Sequence, residues 1–181
     1  MMVVCRKWRR LGDVGAKVVA GLAALLCAAT EPAVAGRLIG YASGYPPGEI
    51  LISQSAHRLY FIVNAGSAIA YPVAVAKPGK EWNGPARVLG KYVEPAWSPP
   101  DSVKRDHPEL PGIVLGGSPH NPMGARAITL DRDEIAIHGT TRAMRASVGT
   151  AASYGCIRML NEDVIDLFDR VAVGAPVMMM P

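Results

Sequence analysis

Cysteine and aromatic residues are scarce in this 181-residue chain, which has three cysteines, two phenylalanines and 6% aromatic residues in total. No two cysteines have the C-x-x-C spacing, and none of the four histidines are paired as H-x-x-x-H. The sequence therefore has neither a disulfide framework nor a zinc-binding pattern, and it predicts no metal site.

A charge excess that would favour nucleic acid is also missing once the N-terminus is set aside. The net charge is +4, but residues 1–35 hold five of the 19 basic and two of the 15 acidic residues. Fourteen basic and thirteen acidic residues remain, a net charge of +1. Without a basic stripe or interleaved aromatic residues, nothing in residues 36–181 points to nucleic acid.

The chain has no apolar run long enough for a comfortable membrane span, which needs about 20 residues. The apolar stretch over 18–29 follows basic residues over 6–10 and precedes Ala33-Val34-Ala35, an A-x-A cleavage pattern. This arrangement predicts a signal peptide over 1–35 and a mature chain that starts at Gly36. An uncleaved anchor is the alternative. Either way the sequence predicts export.

The remaining chain has the length of one domain. Residues 36–48 are rich in Gly and Pro and indicate a linker or extended arm, followed by a domain over 49–180. Short apolar runs separated by turn residues predict strands over 49–53, 58–63, 68–76, 87–93, 127–130, 135–138 and 177–180. The best helix covers 161–170, with Asn161 as its N-cap. The pattern predicts a mainly β domain with one clear helix, and the breaker-rich stretch 80–125 as the wall of a cleft.

Cys156 is the candidate nucleophile. Cys5 and Cys27 lie in the predicted signal peptide, so the mature chain would carry one thiol in an oxidising compartment, with no partner in the chain. His138 ends an apolar strand upstream and could act as the base that removes the thiol proton. Taken singly, a cysteine is more often a small buried apolar residue, and a histidine a hydrogen-bonded structural one.

The residues around Cys156 add two chemical features. Gly155 permits a tight turn in which consecutive backbone N–H groups point at one place, as an oxyanion hole requires. Arg158, two residues beyond Cys156, would lie on the same face of a strand, where a cation could meet a substrate carboxylate.

These motifs carry a family resemblance. His138-Gly139-Thr140 followed by Ser153-Tyr154-Gly155-Cys156-Ile157-Arg158-Met159 resembles the active-site signature of the L,D-transpeptidase (YkuD) family. The segments 121–127 and 161–167 resemble the family's loop before the catalytic region and its helix after the cysteine. The resemblance spans roughly residues 49–180.

The resemblance implies a β-sandwich-like YkuD fold with one or two short helices, and a periplasmic enzyme without metal or organic cofactor that acts on peptidoglycan stem peptides. Cys156 would form a thioester and His138 would be the base, held by the Gly139 carbonyl. Backbone N–H groups of Tyr154, Gly155 and Cys156 would bind the oxyanion. Ser153 would shape the turn, and Arg158 would contact substrate or support the loop.

The sequence leaves open which group accepts the acyl chain from the thioester. A neighbouring stem peptide would give a 3-3 cross-link, water would give L,D-carboxypeptidase activity, and an envelope protein would become attached to peptidoglycan. A non-catalytic wall-binding domain is the alternative of another class. Its support is Tyr154, which stands where many family members have a second histidine. Trp82, Tyr92 and Trp97 could either anchor substrate or cover the edge of the sheet.

Overall fold

The computed structural model describes residues 36–42 and 44–181. The predicted signal peptide and its cleavage pattern lie outside the described residues. Eleven strands, two α-helices and a 3₁₀ turn over Arg145–Ser147 make up this part of the chain. The strands are β1 Arg37–Gly40, β2 Ile50–Ser53, β3 Arg58–Asn64, β4 Ser67–Pro72, β5 Val75–Ala76, β6 Gly84–Val93, β7 Arg126–Leu130, β8 Ala136–His138, β9 Ala151–Ser153, β10 Ile157–Arg158 and β11 Pro176–Met180. The helices are α1 Asp101–Asp106 and α2 Asn161–Arg170.

Nine of the strands form one sheet, in the order β1-β4-β3-β2-β11-β6-β7-β8-β10. Strand β6 connects its two halves, because its first part pairs with β11 and its second part with β7. Strands β5 and β9 form a separate parallel pair beside β10, to which an isolated bridge between Ala74 and Arg158 ties them. The architecture is mainly β with two helices, as the sequence predicts.

One large hydrophobic core lies between the sheet and α2 and draws residues from both halves of the sheet. Helix α2 is amphipathic, and its buried Val164 and Leu167 face β7 and β8. Their spacing of three residues places both on one helix face, which is why this segment packs onto the sheet. This packing brings the start of α2 close to the end of β8.

The structure differs from the sequence predictions at three elements. The predicted linker begins with β1, which pairs antiparallel with β4 and so joins the sheet as an edge strand. The predicted strand over 68–76 is divided into β4 and β5 after Pro72. Helix α2 has Leu160, not Asn161, at its N-cap position, and no side chain caps it. Asn161 instead bonds to loops across the chain.

The stretch 80–125 contains β6, the short helix α1 and turns, and α1 has no buried residue. Among the described residues, no helix is long and apolar enough to cross a membrane.

Candidate active site

Neighbouring strands bring the two predicted catalytic residues to one face of the sheet. Strands β8 and β10 pair in parallel, with Arg158 opposite His138 and Ile157 opposite Ile137. Side chains opposite each other on adjacent strands point to the same side, and so do residues two apart on one strand. Cys156 directly precedes β10, so Cys156, His138 and Arg158 share one face.

This face forms the floor of a pocket of about 690 Å³. The walls come from α1 and the residues around it, from the loop between β7 and β8, and from the 3₁₀ turn. Residues from these walls include Val103, His107, Glu134, Met144 and Ser147, together with Trp97, His120, Pro122 and Tyr154. The stretch 80–125 therefore does form cleft wall, as its composition predicts.

Cys156 is a half-buried free thiol. Its Sγ donates a hydrogen bond to the backbone carbonyl of Glu134, with Sγ and O 3.3 Å apart. Burial raises the pKa of the Cys156 thiol, while the Ala136 N–H and the charge of Arg158 act in the opposite direction. Without substrate, the Cys156 side chain is therefore a protonated thiol at neutral pH, and it would need a base to become a thiolate.

His138 is 4% exposed, and its ring is fixed by the backbone. Nδ1 lies 2.8 Å from the carbonyl oxygen of Gly139. A carbonyl can only accept, so Nδ1 carries the proton and Nε2 keeps the lone pair that a base needs. Burial and, to a smaller extent, the charge of Arg158 lower the pKa of His138 to about 4. Hydrogen bonding to the backbone of Gly139 and Pro122 acts in the opposite direction. The imidazole is therefore neutral at pH 7 and able to take a proton.

The turn before Cys156 is organised by Ser153. Its hydroxyl donates to the Cys156 carbonyl at 2.6 Å and accepts the Gly155 N–H at 3.1 Å. Gly155 has φ +126°, and a Cβ there would lie 2.7 Å from the Ile135 side chain, so the turn requires glycine. The Gly155 N–H is thus hydrogen-bonded to Ser153 in this structure. The oxyanion hole of Tyr154, Gly155 and Cys156 stays a prediction, in which the N–H groups of Tyr154 and Cys156 are the candidate donors that Ser153 does not occupy.

Arg158 is a buried cation, 9% exposed, on the floor of the pocket. One guanidinium nitrogen donates to the Ser147 hydroxyl at 2.8 Å, and Nε has no hydrogen-bond partner among the described residues. Burial lowers the pKa of Arg158. No carboxylate of the described residues forms a salt bridge with it. The side chain both supports the 3₁₀ turn and presents positive charge to the pocket.

Asn161 is a site residue that the sequence analysis missed. Its side-chain oxygen accepts the N–H groups of Ala125 and Thr140 at 3.1 and 3.0 Å, and its amide donates to the Thr140 carbonyl at 2.9 Å. A Cβ on Gly139 would lie 2.1 Å from this oxygen. Asn161 therefore fixes the segment that holds His138. The pairing of an Asn with Gly139 and Gly124 across the chain has no local sequence signal.

Tyr154 connects the turn of Cys156 to α1. Its hydroxyl donates to the Asp106 carboxylate at 2.6 Å, and the Lys77 ammonium lies 3.6 Å from the centre of its ring. Lys77 also forms a salt bridge with Asp106 at 3.6 Å. The residue that departs from the family's frequent histidine thus anchors the pocket wall.

The three aromatic residues of the stretch 80–125 lie in different surroundings. Trp97 lines the pocket, whereas Trp82 packs against the core and donates its indole N–H to the Gly155 carbonyl at 2.9 Å. Tyr92 is exposed and lies away from the pocket lining. Within the part of the chain that the structure describes, no group of three or more His, Cys, Asp or Glu residues could hold a metal ion.

The comparisons with known proteins identify the family. The family model of the L,D-transpeptidase catalytic domain (YkuD) matches residues 47–179. The chain belongs to this family. It is 34% identical over 135 residues to the probable L,D-transpeptidase ErfK/SrfK of Escherichia coli strain K12, a match that covers 71% of this chain and 42% of that protein. The chain thus spans less than half the length of the curated relatives that it matches over about 135 residues.

Solved structures share the fold of this L,D-transpeptidase family member. An L,D-transpeptidase from Mycobacterium smegmatis matches with a TM-score of 0.58 at 17% identity, over 84% of this chain and 81% of that chain. A Brucella melitensis structure is 36% identical with a TM-score of 0.54, over 81% and 93% of the two chains. The Brucella protein is named a probable carnitine operon oxidoreductase, whereas the family model and the curated relatives place the present chain among the L,D-transpeptidases. The expected YkuD fold is confirmed.

Proposed function

We propose that this chain is an exported L,D-transpeptidase that forms 3-3 cross-links between peptidoglycan stem peptides through a thioester on Cys156. The proposal is carried by one observation: the free thiol of Cys156, the neutral buried imidazole of His138 and the buried guanidinium of Arg158 share one face of the same pocket. Family membership supplies the substrate class, and the predicted signal peptide supplies the periplasmic location.

In the first half-reaction, Cys156 Sγ attacks the carbonyl carbon at the L-centre of the third stem residue, and the thiol proton passes to Nε2 of His138. The N–H groups of Tyr154 and Cys156 stabilise the negative charge that develops on the carbonyl oxygen. The tetrahedral intermediate then expels D-alanine, whose nitrogen takes the proton from the imidazolium. The product is a thioester, and His138 is neutral again.

In the second half-reaction, the side-chain amine of the third residue in a neighbouring stem attacks the thioester. His138 receives a proton from this amine and returns it to the departing sulfur. The Gly139 carbonyl keeps Nδ1 protonated throughout, so the same nitrogen exchanges protons in both directions. A main-chain carbonyl thus orients this histidine, where many enzymes use a carboxylate.

Mass spectrometry of residues 36–181 incubated with a disaccharide-tetrapeptide tests the proposal, with Cys156→Ala as the matched control. We expect a 3-3 linked dimer and a covalent acyl adduct from the unchanged protein alone. If a disaccharide-tripeptide forms without any dimer, the activity is that of a carboxypeptidase, or the natural acceptor is a protein. Acylation of Cys156→Ala would show that Cys156 is not the nucleophile.

Labelling by a carbapenem, which family membership suggests as a substrate mimic, distinguishes an enzyme from a wall-binding domain. We expect an adduct on Cys156 in the unchanged protein. A folded protein whose thiol resists both the carbapenem and the tetrapeptide would favour the binding domain.

A further inference from the structure

Asp163, in the first turn of α2, is a buried carboxylate outside the catalytic pocket. It is 4% exposed, and its Oδ2 has no hydrogen-bond partner among the described residues. Its Oδ1 accepts a single hydrogen bond, from the backbone N–H of Gly36 at 3.0 Å. A buried carboxylate with one neutral donor is costly, because the charge has lost water without gaining a counter-charge.

The neighbouring carboxylates of α2 have the cationic partners that Asp163 lacks. Glu162 forms a bidentate pair with Arg145, at 2.6 and 3.0 Å. Asp166 accepts from Arg170 and from the Tyr71 hydroxyl. Among the described residues, no cationic side chain forms a salt bridge with Asp163. The positive end of the helix dipole, at the first turn where Asp163 lies, compensates part of this charge.

Gly36 fits closely at the position that faces Asp163. Its φ is +64°, and a Cβ there would lie 2.5 Å from the side chains of both Ile69 and Tyr71. Only glycine can occupy this place without displacing the core. The next residue already belongs to β1, which pairs with β4, so the position of the Gly36 nitrogen is fixed by the sheet.

Gly36 is also the residue that the A-x-A pattern predicts as the first of the mature chain. We propose that Asp163 is a docking site for the free α-ammonium group of Gly36, formed when an export peptidase cuts after Ala35. In that cut, water adds its hydroxyl to the Ala35 carbonyl carbon, the C–N bond breaks, and the Gly36 nitrogen gains a hydrogen.

The new amine then takes a proton from solvent, because the pKa of an α-amino group is about 7.7–8.0. Cleavage replaces one neutral N–H donor by a cation with three, next to a carboxylate that has an unpaired oxygen. The ammonium group of the cleaved N-terminus thereby supplies the counter-charge that Asp163 of α2 lacks. Because Asn161 on the same helix turn holds the His138 segment, this ion pair stabilises the element that supports the catalytic base. This ion pair would form after cleavage whichever reaction the pocket catalyses.

Two measurements test the docking site. First, the full-length chain is expressed in a bacterium that exports it, and the mature N-terminus is read by mass spectrometry. We expect Gly36 with a free amine. A different first residue, or an uncleaved chain, would overturn the proposal.

Second, residues 36–181 are prepared with a free Gly36 amine and with the same amine acetylated, so that the two proteins differ in one charge. Urea unfolding at pH 7 should show an unfolding equilibrium constant about tenfold or more smaller for the free amine, the range expected for hydrogen bonds between charged groups. The difference should vanish in Asp163→Asn and persist in Glu162→Gln, the matched control on the same turn.

Equal stability of the free and acetylated proteins would contradict the ion pair, as would a difference that survives in Asp163→Asn. If Asp163→Asn does not fold, the pKa of the Gly36 amine, measured by NMR in the unchanged protein, decides the question. Docking requires this pKa to lie above that of an unfolded chain. An amine that titrates as in a peptide would overturn the inference.

Discussion

Arg158 combines two interactions in one side chain, a hydrogen bond to Ser147 and a positive charge facing the pocket. In the proposed reaction, the leaving D-alanine of a tetrapeptide carries a carboxylate only a few bonds from the attacked carbonyl. We therefore predict that Arg158→Gln loses most of the preference for a stem with a C-terminal carboxylate over the same stem with a carboxamide. The expected change in the kcat/KM ratio is about tenfold or more.

Ser147→Ala is the control for this prediction, because it removes the supporting hydrogen bond and keeps the charge. It should lower activity on both stems alike and leave their ratio unchanged. If Arg158→Gln also lowers both rates equally, Arg158 is a support for the turn and has no part in substrate selection.

The chemical identity of the site residues could be predicted from the sequence, and the family resemblance also implies the bond between His138 and the Gly139 carbonyl. The hydrogen bonds within the turns around Cys156 could not be predicted. Cys156, His138 and Arg158 belong to local motifs, and strand periodicity places Cys156 and Arg158 on a common face. The use of the Gly155 N–H by Ser153, and of the Glu134 carbonyl by Cys156, depends on backbone angles within turns. Backbone groups are the same in every residue, so the sequence does not mark which of them will be occupied.

Helix α2 positions His138, the proposed base, through Asn161, which makes three hydrogen bonds to the loops beside His138. We predict that Asn161→Ala lowers the free energy of unfolding by about 1–3 kcal/mol, since partly buried backbone groups lose their partner. It should also lower kcat, because Gly139 would no longer hold the imidazole in place. Chemical denaturation and steady-state kinetics measure the two effects.

Asn64 offers a matched control for Asn161. It accepts one hydrogen bond, from Gly66, in an exposed hairpin turn far from the pocket in sequence. Asn64→Ala should cost less stability and leave kcat unchanged. An equal loss of kcat in both variants would show that Asn161 has no specific role at the site.

Helix α1 is too short and too exposed to be stable by itself, so its contact with Tyr154 is expected to matter. We predict that Tyr154→Phe, which removes only the hydroxyl that bonds to Asp106, raises KM by about two- to fivefold with little change in kcat. Tyr154→His should change the rate modestly. Faster amide hydrogen exchange over 101–107 in Tyr154→Phe is the structural readout. A large loss of kcat would instead give the hydroxyl a role in the chemistry.

Among the strands and helices, apolar periodicity predicted the segments that lie in the core. It missed the segments whose order comes from residues far away in the sequence. Strands β2, β3, β7 and β8 and helix α2 have clear apolar patterns, and all are present. Strand β1 was missed because its residues are exposed or half-buried and its order comes from pairing with β4. Helix α1 has no apolar face to recognise, and it is held by Tyr154 from 48 residues away.

For the molecule as a whole, the neutral state of His138 makes folding stability depend on pH. Burial lowers its pKa to about 4 in the folded protein, against 6.5 without the fold. Between these values the unfolded chain binds more protons, so stability rises with pH over this window and is lost as pH falls. We predict a loss of roughly 3 kcal/mol from pH 6.5 to pH 4 that is absent in His138→Gln.

Comparing the unchanged protein with His138→Gln isolates the contribution of His138 to the pH dependence of stability, because the buried carboxylates contribute equally to both proteins. Burial raises the pKa values of Glu49 and Asp163, which changes stability in the opposite direction over part of the same window. The exposed His120 supplies the control, since His120→Gln should keep the full pH dependence. If His138→Gln does not fold, NMR titration of the His138 ring should show no protonation above about pH 5 in the intact protein. A ring that titrates near 6.5 would mean that His138 is half protonated at pH 6.5, and the neutral thiol–imidazole pair would no longer describe the resting site.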